Sequence, residues 1–238
     1  MTKTLEEVEL QFRTPRQNHP GYNNPLEFRP LKNTDSQLLT PVFQKYGKTI
    51  RGYLGSFHNA HSWQIGDAQK FVSKEVDAAF PNFTWLFFIG KELVGMGSIH
   101  PYANSLVDVQ IVLAVFGKHQ GKGIGTAIGG TLKSVAFDIW GFQSFWWLVD
   151  ATNHPSKKAA EKVGLSFHHS WEDEVKHSES ESGLWFAYSE QRPMDCADAI
   201  LQGAPLAYWQ ESRTSSLLQA VINAKGERLG MGSRSSQN

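Results

Sequence analysis

The sequence has little of several features that mark whole classes of protein. Its 238 residues include one cysteine, Cys196, so neither a disulfide framework within the chain nor a cysteine-rich zinc site is available. The 23 basic residues only balance 23 acidic ones, which argues against a nucleic-acid-binding body. No apolar run approaches bilayer-spanning length and no signal peptide is visible. We therefore expect a soluble, cytoplasmic protein without nucleic-acid or membrane partners.

What the chain does contain is enough apolar surface for a large core. Hydrophobic residues make up 40% of it, and eight Trp and 15 Phe supply large buriable side chains, which is typical of a globular protein. Residues 1–25 are polar and proline-rich and predict a flexible N-terminal arm, whereas the Gly/Ser/Arg-rich residues 226–238 predict a disordered tail. Between them we place a globular domain over 26–190 and a helical extension over 191–225.

The predicted extension carries an apolar stripe at helical spacing, formed by Leu217, Leu218, Val221 and Ile222. Apolar surface is costly to leave in water, at about 25 cal/mol per Å². The stripe must therefore pack on its own domain, on a second copy of the chain or on another protein. A homodimer is one arrangement that would cover it.

Hydrophobic periodicity and turn residues give the order of the elements in the domain. We predict strands at 26–31, 83–89, 93–100, 106–115, 144–151, 165–174 and 183–188, and helices within 33–51 and at 65–80, 123–140 and 155–163. This order favours an α/β (α+β) fold in which helices flank a mixed, mostly antiparallel central sheet of six to seven strands.

The most informative segment is the glycine-rich loop that follows the strand at 106–115. Gly121, Gly123 and Gly125 lack the Cβ atoms that would keep a ligand away from the backbone. The helix that follows begins with unpaired N–H groups and the positive end of its dipole. Lys118 and Lys122 add positive charge. Such a loop is suited to a phosphate or pyrophosphate.

Other interpretations of this loop compete with a bound pyrophosphate. A dinucleotide-binding fingerprint needs Gly-x-Gly-x-x-Gly, whereas this run reads Gly-x-Gly-x-Gly and lies in the middle of the chain. A P-loop needs Gly-Lys-Ser/Thr, but here Gly121-Lys122 precedes Gly123 and Thr126 comes too late. The remaining alternative is a glycine-rich turn with no ligand.

Two motifs resemble those of the GNAT acetyltransferase superfamily. The Gln-x-x-Gly-x-Gly run at 120–125 resembles its Gln/Arg-x-x-Gly-x-Gly/Ala signature, between the fourth strand and the third helix. Further on, Asn153 at a strand end, Ser156 in the helix after it and a Lys-x-Gly exit resemble the second motif. This version is most similar to the branch that acetylates protein N-termini, the ribosomal-protein or Rim-type group. The resemblance covers roughly residues 26–190.

The resemblance implies an acetyl-CoA-dependent N-acyltransferase that transfers acetyl directly to a primary amine of a protein N-terminus, a lysine or a small molecule. It implies acetyl-CoA as cosubstrate and no metal. Backbone at 120–126 would hold the pyrophosphate, the strand end would pair with the pantetheine amides, Asn153 would bind the pantetheine arm, and Lys157 would reach the ribose phosphate. The cofactor-binding residues implied in this way are Leu113, Val115, Gln120, Gly121, Lys122, Gly123, Ile124, Gly125, Thr126, Asn153 and Lys157.

The catalytic groups follow the family less closely. Many members use a tyrosine as acid seven residues after the motif asparagine, where this chain has Ala160. Ser156 is the nearest substitute, with helix capping as its alternative role. Asp108 is our candidate for the base that deprotonates the amine, with His100 and Asp150 as further candidates.

The missing tyrosine also keeps a second function open. The chain would then be a catalytically weak acyl-CoA-binding module that acts through a protein partner. Residues 57–63 and the acidic residues 171–181 fall where the family builds its acceptor pocket, although an acidic turn in solvent is the alternative. His168 and His169 suggest a metal, but we predict none, because neighbouring strand residues point to opposite faces.

Overall fold

The computed structural model describes residues 26–47, 60–78, 82–102, 108–140, 142–172 and 184–191. The predicted N-terminal arm, the tail, and the helical extension beyond Gln191 therefore lie outside the described residues. Within the described ranges, none of the helices combines the length and the apolar character needed to cross a membrane.

Seven strands and four α-helices occupy the described ranges. The strands are β1 (Leu26–Pro30), β2 (Phe83–Ile89), β3 (Glu92–Pro101), β4 (Asp108–Val115), β5 (Ser144–Asp150), β6 (Ser166–Glu172) and β7 (Leu184–Gln191). The helices are α1 (Ser36–Tyr46), α2 (Ile65–Val76), α3 (Ile124–Ser134) and α4 (His154–Lys162). The helix predicted over 123–140 is in fact α3 followed by a π-helical turn at Val135–Ile139.

The strands form one sheet in the order β1-β2-β3-β4-β5-β7-β6. Only β4 and β5 run parallel; the other neighbouring strands are antiparallel. The exception has a physical cause, because β4 and β5 are joined through α3, and parallel neighbours need such a crossover. The predicted mixed, mostly antiparallel sheet flanked by helices is confirmed.

Each face of the sheet is covered by a different pair of helices. On the first, which we call the α3 face, Ile128 and Leu132 of α3 join Val109, Ile111 and other strand residues in one buried cluster. On the opposite side, the α1 face, a second cluster joins Leu39, Phe43, Phe71 and Val72 of α1 and α2 to alternate strand residues such as Met96, Val112 and Ala114. The alternation follows from the period of two in a strand.

Glycines in β3 set how closely α3 approaches the sheet. A Cβ added at Gly95 would lie 2.7 Å from Ile128 Cδ1, and one added at Gly97 would lie 2.8 Å from Leu132 Cδ1. Side chains at these positions would require Ile128 and Leu132 to change rotamer or the helix to move, since packed interiors leave little room. The close packing holds the first turn of α3 over the end of β4.

Candidate functional site

The central strands β4 and β5 pair along only part of their length. Their parallel pairing covers Asp108 to Ile111 on β4 and Ser144 to Trp147 on β5. Beyond that point β4 pairs only with β3, and β5 only with β7, within the described ranges. The C-terminal half of β4 is about 13 Å long at roughly 3.3 Å per residue. It therefore borders an opening between β4 and β5 in the middle of the sheet.

The backbone of β4 presents hydrogen-bonding groups to this opening. Phe116 N–H donates to Val94 O, and Tyr102 N–H donates to Asp108 O, both at 2.9 Å. Backbone groups of an antiparallel strand alternate in direction, so the even-numbered residues of β4 face β3. The N–H and C=O groups of Leu113 and Val115 consequently face the opening, where an added extended chain would find donors and acceptors.

The predicted glycine loop closes the mouth of the opening. Gly121 and Gly123 have φ of 73° and 82°, in the left-handed region that favours glycine. Gly123 is the N-cap of α3, so no side chain caps the helix, and its first turn holds no acidic residue. Ala127 N–H donates to Gly123 O at 3.0 Å, whereas the N–H groups of Ile124, Gly125 and Thr126 precede the first helical acceptor. The positive end of the helix therefore remains available to an anion.

Two basic side chains beside the loop contact an acidic residue, which the sequence does not suggest. Lys118 Nζ lies 2.8 Å from Glu92 Oε1, and the buried ring of His119 lies 3.2 Å from the same oxygen. The hydrogen bond from Lys118 lowers the pKa of Glu92. The side chain of Gln120 turns back and donates from Nε2 to Val115 O at 2.9 Å, on the side of the opening.

Asn153 and Ser156 lie across the opening from the end of β4. The parallel register pairs residues 36 apart, so Asp150 stands level with Ala114 and Asn153 follows just beyond the end of β4. Asn153 is the N-cap of α4, and its Oδ1 accepts from Ser156 N–H at 3.2 Å. The capping role that we considered for Ser156 is therefore wrong, because its side chain caps nothing. Its partly buried hydroxyl has no hydrogen-bond partner among the described residues.

The structure also shows what surrounds Lys157, Asp150 and Ala160. Lys157 Nζ donates to Ala151 O at 2.7 Å and lies 4.8 Å from the centre of the Phe186 ring, so its ammonium is engaged beside α4. Asp150 Oδ1 accepts from Thr152 N–H at 2.7 Å and closes the turn after β5. Ala160, at the position of the family's tyrosine, is fully buried in the α3-face core.

A row of polar side chains crosses the α1 face one residue before the point at which β4 and β5 stop pairing. His100 on β3 pairs with Gln110 on β4, Gln110 with Trp146 on β5, and Trp146 with Ser189 on β7. We call these four residues the polar row. Side chains directly opposite on neighbouring strands lie about 5 Å apart at Cβ. The row brings an imidazole, an amide, an indole and a hydroxyl to the inner end of the opening.

Asp108, the predicted base, lies one row further from the opening on the same face. Its Oδ1 accepts a hydrogen bond from the Ser144 hydroxyl on β5. Burial, and after it the negative charge of Asp108, raises the pKa of Tyr102 at the end of β3. The ring of Tyr102 stacks on Trp146 with centroids 4.5 Å apart. An anionic and aromatic patch thus continues the polar row.

The prediction that His168 and His169 point to opposite faces is wrong. The register of β6 against β7 shifts between Phe167 and His169, and such a bulge lets successive side chains approach each other. The two Nδ1 atoms lie 2.7 Å apart, and both rings contact Trp146. In the part of the chain that the structure describes, no third ligand joins them as a potential metal site.

Sequence reasoning missed Trp146 altogether. The side chain is 7% exposed, and its Nε1 is buried with no hydrogen-bond partner among residues that the structure describes. The apolar run of β5 predicts a buried strand, and indole sits there as one more aromatic residue. One signal could have identified it: alternate residues of β5, Trp146 among them, face the opposite side of the sheet from the α3-face core.

Sequence comparison identifies an acetyltransferase (GNAT) domain over residues 26–166. No curated protein matches the chain. Many solved structures share the fold, three acetyltransferases among them. RimL, a ribosomal L7/L12 alpha-N-protein acetyltransferase in complex with coenzyme A, has a TM-score of 0.63 at 14% identity, over 74% of this chain and 99% of its own.

The other two structures are similarly distant in sequence. RimJ from Mycobacterium smegmatis, in complex with CoA-disulfide, has a TM-score of 0.61 at 15% identity and covers 75% of this chain and 89% of its own. The microcin C7 self-immunity acetyltransferase MccE, in complex with acetyl-CoA and AMP, has a TM-score of 0.61 at 14% identity and covers 71% and 93%. Enzymes of the Rim type, to which the second motif pointed, are thus among the structural neighbours.

Proposed function

The chain belongs to the GNAT acetyltransferase family, and on that premise we propose that it transfers the acetyl group of acetyl-CoA directly to a primary amine on the α1 face. Family membership confirms the predicted resemblance, enzyme class and cosubstrate: an acetyl-CoA-dependent N-acyltransferase. The site residues, the acceptor amine and the catalytic roles belong to the proposal.

The opening beside β4 is the observation that carries the proposal. Its outward-facing backbone at Leu113 and Val115 supports binding of an extended chain with amide groups, such as pantetheine. The uncapped start of α3 supports a pyrophosphate at residues 121–126. Pantetheine can pair with the carbonyl of Val115 only if Gln120 Nε2 releases Val115 O. If that hydrogen bond stays, the edge of β4 that is available for pairing is shorter. Lys157 reaches a phosphate only by leaving Ala151 O.

Acetyl-CoA supplies an acetyl thioester whose sulfur leaves as a thiolate. Asn153 offers its amide from across the opening, because only its Oδ1 is used by the helix cap. We propose that the Ser156 hydroxyl donates to the departing sulfur. Asp108, on the same face as the polar row, contributes negative charge that attracts the cationic form of the amine.

A peptide N-terminus is the acceptor that we place first among the amines. RimL acts on the N-terminus of a ribosomal protein, as its name states, and this chain has a similar second motif. The indole N–H of Trp146 lacks an acceptor among the described residues, but less than 1 Å² of the nitrogen is exposed, so a peptide carbonyl reaches it only if the side chains around it move. A peptide carries carbonyl oxygens near its amine, whereas a protonated polyamine offers only donors. Lysine and small amines remain the alternatives.

Acetyl-CoA is expected to raise the melting temperature of the protein, because a ligand that binds only the native state stabilises it. At a ligand concentration 100 times Kd the gain is about 2.7 kcal/mol. Differential scanning fluorimetry with millimolar acetyl-CoA measures it, with adenosine as a control that lacks the pyrophosphate and pantetheine. No shift with folded protein would contradict the proposed cofactor site.

Release of free thiol then tests transfer itself. The protein and acetyl-CoA are incubated with a peptide bearing a free N-terminus, an Nα-blocked lysine or a polyamine, and mass spectrometry identifies the acetylated product. Turnover of the peptide is the expected result. A protein that binds acetyl-CoA but acetylates none of the three classes would favour the alternative function, a catalytically weak acyl-CoA-binding module. That alternative exists because the buried Ala160 stands where many family members have a catalytic tyrosine.

Ser156→Ala is expected to lower kcat about 10- to 100-fold while Kd for acetyl-CoA stays within about twofold, because proton donation to the leaving group acts in the transition state. The fold should be unaffected, since Asn153 caps the backbone N–H of residue 156 and not its side chain. Steady-state kinetics and calorimetric titration separate the two quantities. An unchanged kcat would remove Ser156 from the reaction.

A further inference from the structure

We infer that His100 is the general base that accepts the proton of the acceptor amine, and that Asn82 is a positioning residue for its ring. The inference rests on the proposed acetyl transfer and assigns a role within that site. It differs from the sequence prediction, which placed Asp108 first.

The position of His100 in the sheet brings it to the reacting centre. It pairs with Gln110, one residue before the last β4–β5 pair at Ile111 and Trp147. With strands spaced about 4.8 Å apart, β3 lies roughly 7 Å from the midline of the opening. Because its Nδ1 is held by Asn82 beside β2, on the side of β3 away from the opening, the imidazole covers only part of this distance, and Nε2 acts on the amine through one water. Asp108 lies about 6.6 Å further along β4 than Gln110, away from the opening.

The hydrogen bond to Asn82 sets which nitrogen of His100 is basic. His100 Nδ1 lies 2.9 Å from Asn82 Oδ1, a carbonyl oxygen that only accepts. Nδ1 must therefore carry the ring proton, and the lone pair of the neutral ring lies on Nε2. The arrangement fixes both the tautomer and the orientation of the imidazole.

The surroundings of His100 keep the ring neutral but able to take up a proton. Burial lowers the pKa of His100, the charge of Glu75 raises it, and Lys74 lowers it. Glu75 is itself held, because Thr84 Oγ1 donates to its Oε2 at 2.6 Å, and Thr84 also bonds Ser98 at 2.8 Å. Among described residues, the charges that act on the pKa of His100 are Glu75 and Lys74 from α2. Asp108 on β4 lies two residues before Gln110, the partner of His100. The imidazolium formed during reaction is stabilised by Glu75.

The proton balance of the step is complete without further reagents. Nε2 takes one proton from the ammonium form of the acceptor, and the freed nitrogen lone pair forms the C–N bond to the acetyl carbon. The C–S bond breaks, and the sulfur leaves with its electron pair and takes the hydroxyl proton of Ser156. The second proton of the nitrogen replaces the proton that Ser156 has given up. The first proton passes from His100 to solvent, so one proton is released per transfer.

His100→Asn is expected to lower kcat/KM for the acceptor about 100-fold at pH 7 while acetyl-CoA still raises the melting temperature as in the wild type. The wild-type pH profile of kcat/KM should fall below the pKa of His100, which lies under its usual value of 6.5. This decrease at low pH, the acid limb, should disappear in the variant. The change in kcat/KM at higher pH that comes from ionisation of the acceptor amine should stay. Asp108→Asn, measured beside it, should keep the acid limb.

Asn82→Asp provides the second variant, in which His100 itself is unchanged. A carboxylate at Nδ1 favours the imidazolium, so the acid limb should move to higher pH, with slower transfer at pH 6 and wild-type or faster transfer at pH 8. A merely structural role for Asn82 would not move the limb.

The outcomes separate this inference from the proposed function. An active wild type whose His100→Asn variant keeps both its rate and its acid limb overturns His100 as the base, as does loss of that limb in Asp108→Asn alone. A wild type that binds acetyl-CoA but acetylates no amine overturns the proposed function, and the base with it.

Discussion

Gly125→Val is expected to abolish stabilisation by acetyl-CoA and to lower kcat/KM at least 100-fold, with the unliganded fold intact. A Cβ at Gly125 would lie 3.6 Å from Val115 Cγ2 and 4.0 Å from Leu113 Cδ1, which is ordinary contact. The two further methyl groups of valine would fill the space between the first turn of α3 and the edge of β4. That is the space through which the pyrophosphate and pantetheine must pass in the proposed complex.

Gly130→Val is the matched control for this experiment. It makes the same substitution in the same helix, but a Cβ at Gly130 meets nothing within 4 Å. Thermal shift with acetyl-CoA and steady-state kinetics are measured on both variants and the wild type. We expect Gly130→Val to bind like the wild type. Full acetyl-CoA stabilisation of the Gly125→Val variant would place the cofactor elsewhere.

Gly129→Val, between these two positions, is expected to destabilise the fold by about 2–3 kcal/mol, or roughly 4–12 °C in Tm. A Cβ there would lie 2.5 Å from Trp147 Cζ3 and 2.9 Å from Cη2. Trp147 is 3% exposed and is paired between Ile111 and Tyr188, so its ring has little room to shift. The helix must move outward, which loosens the α3-face core.

Urea unfolding followed by circular dichroism measures this loss as a lower midpoint at similar m. Gly130→Val again serves as the control, and its midpoint should equal or slightly exceed that of the wild type, because valine favours a helix more than glycine does. Equal midpoints for Gly129→Val and Gly130→Val would show that Trp147 yields easily and that the close approach of α3 is unimportant.

The comparison of these glycines shows where sequence reasoning stops. The loop at 120–125 is recognisable because its glycines, lysines and the strand and helix on either side are all local in the chain. Gly125, Gly129 and Gly130 lie within six residues of each other in one helix and look alike in the sequence. What each faces depends on β4, β5 or open space, which is set by packing.

The candidate base shows the same limit. The sequence offers Asp108, His100 and Asp150 as acids or bases near strand ends, and nothing local ranks them. Their distance from the opening depends on the register of β3, β4 and β5, which are joined across many residues. Only the pairing of His100 with Gln110, and of Gln110 with Trp146, brings an imidazole beside the point where the strands part.

The sequence by itself determined the order of strands and helices, the sheet class, and the two motifs of an acetyl-CoA-dependent acyltransferase, because periodicity, capping and glycine placement act over a few residues. The tertiary structure decided where β4 and β5 separate, the bulge that turns His168 towards His169, the burial of Ala160 and Trp146, and the polar row. Those features arise from contacts between distant strands, whose register and packing are settled only when the whole core forms.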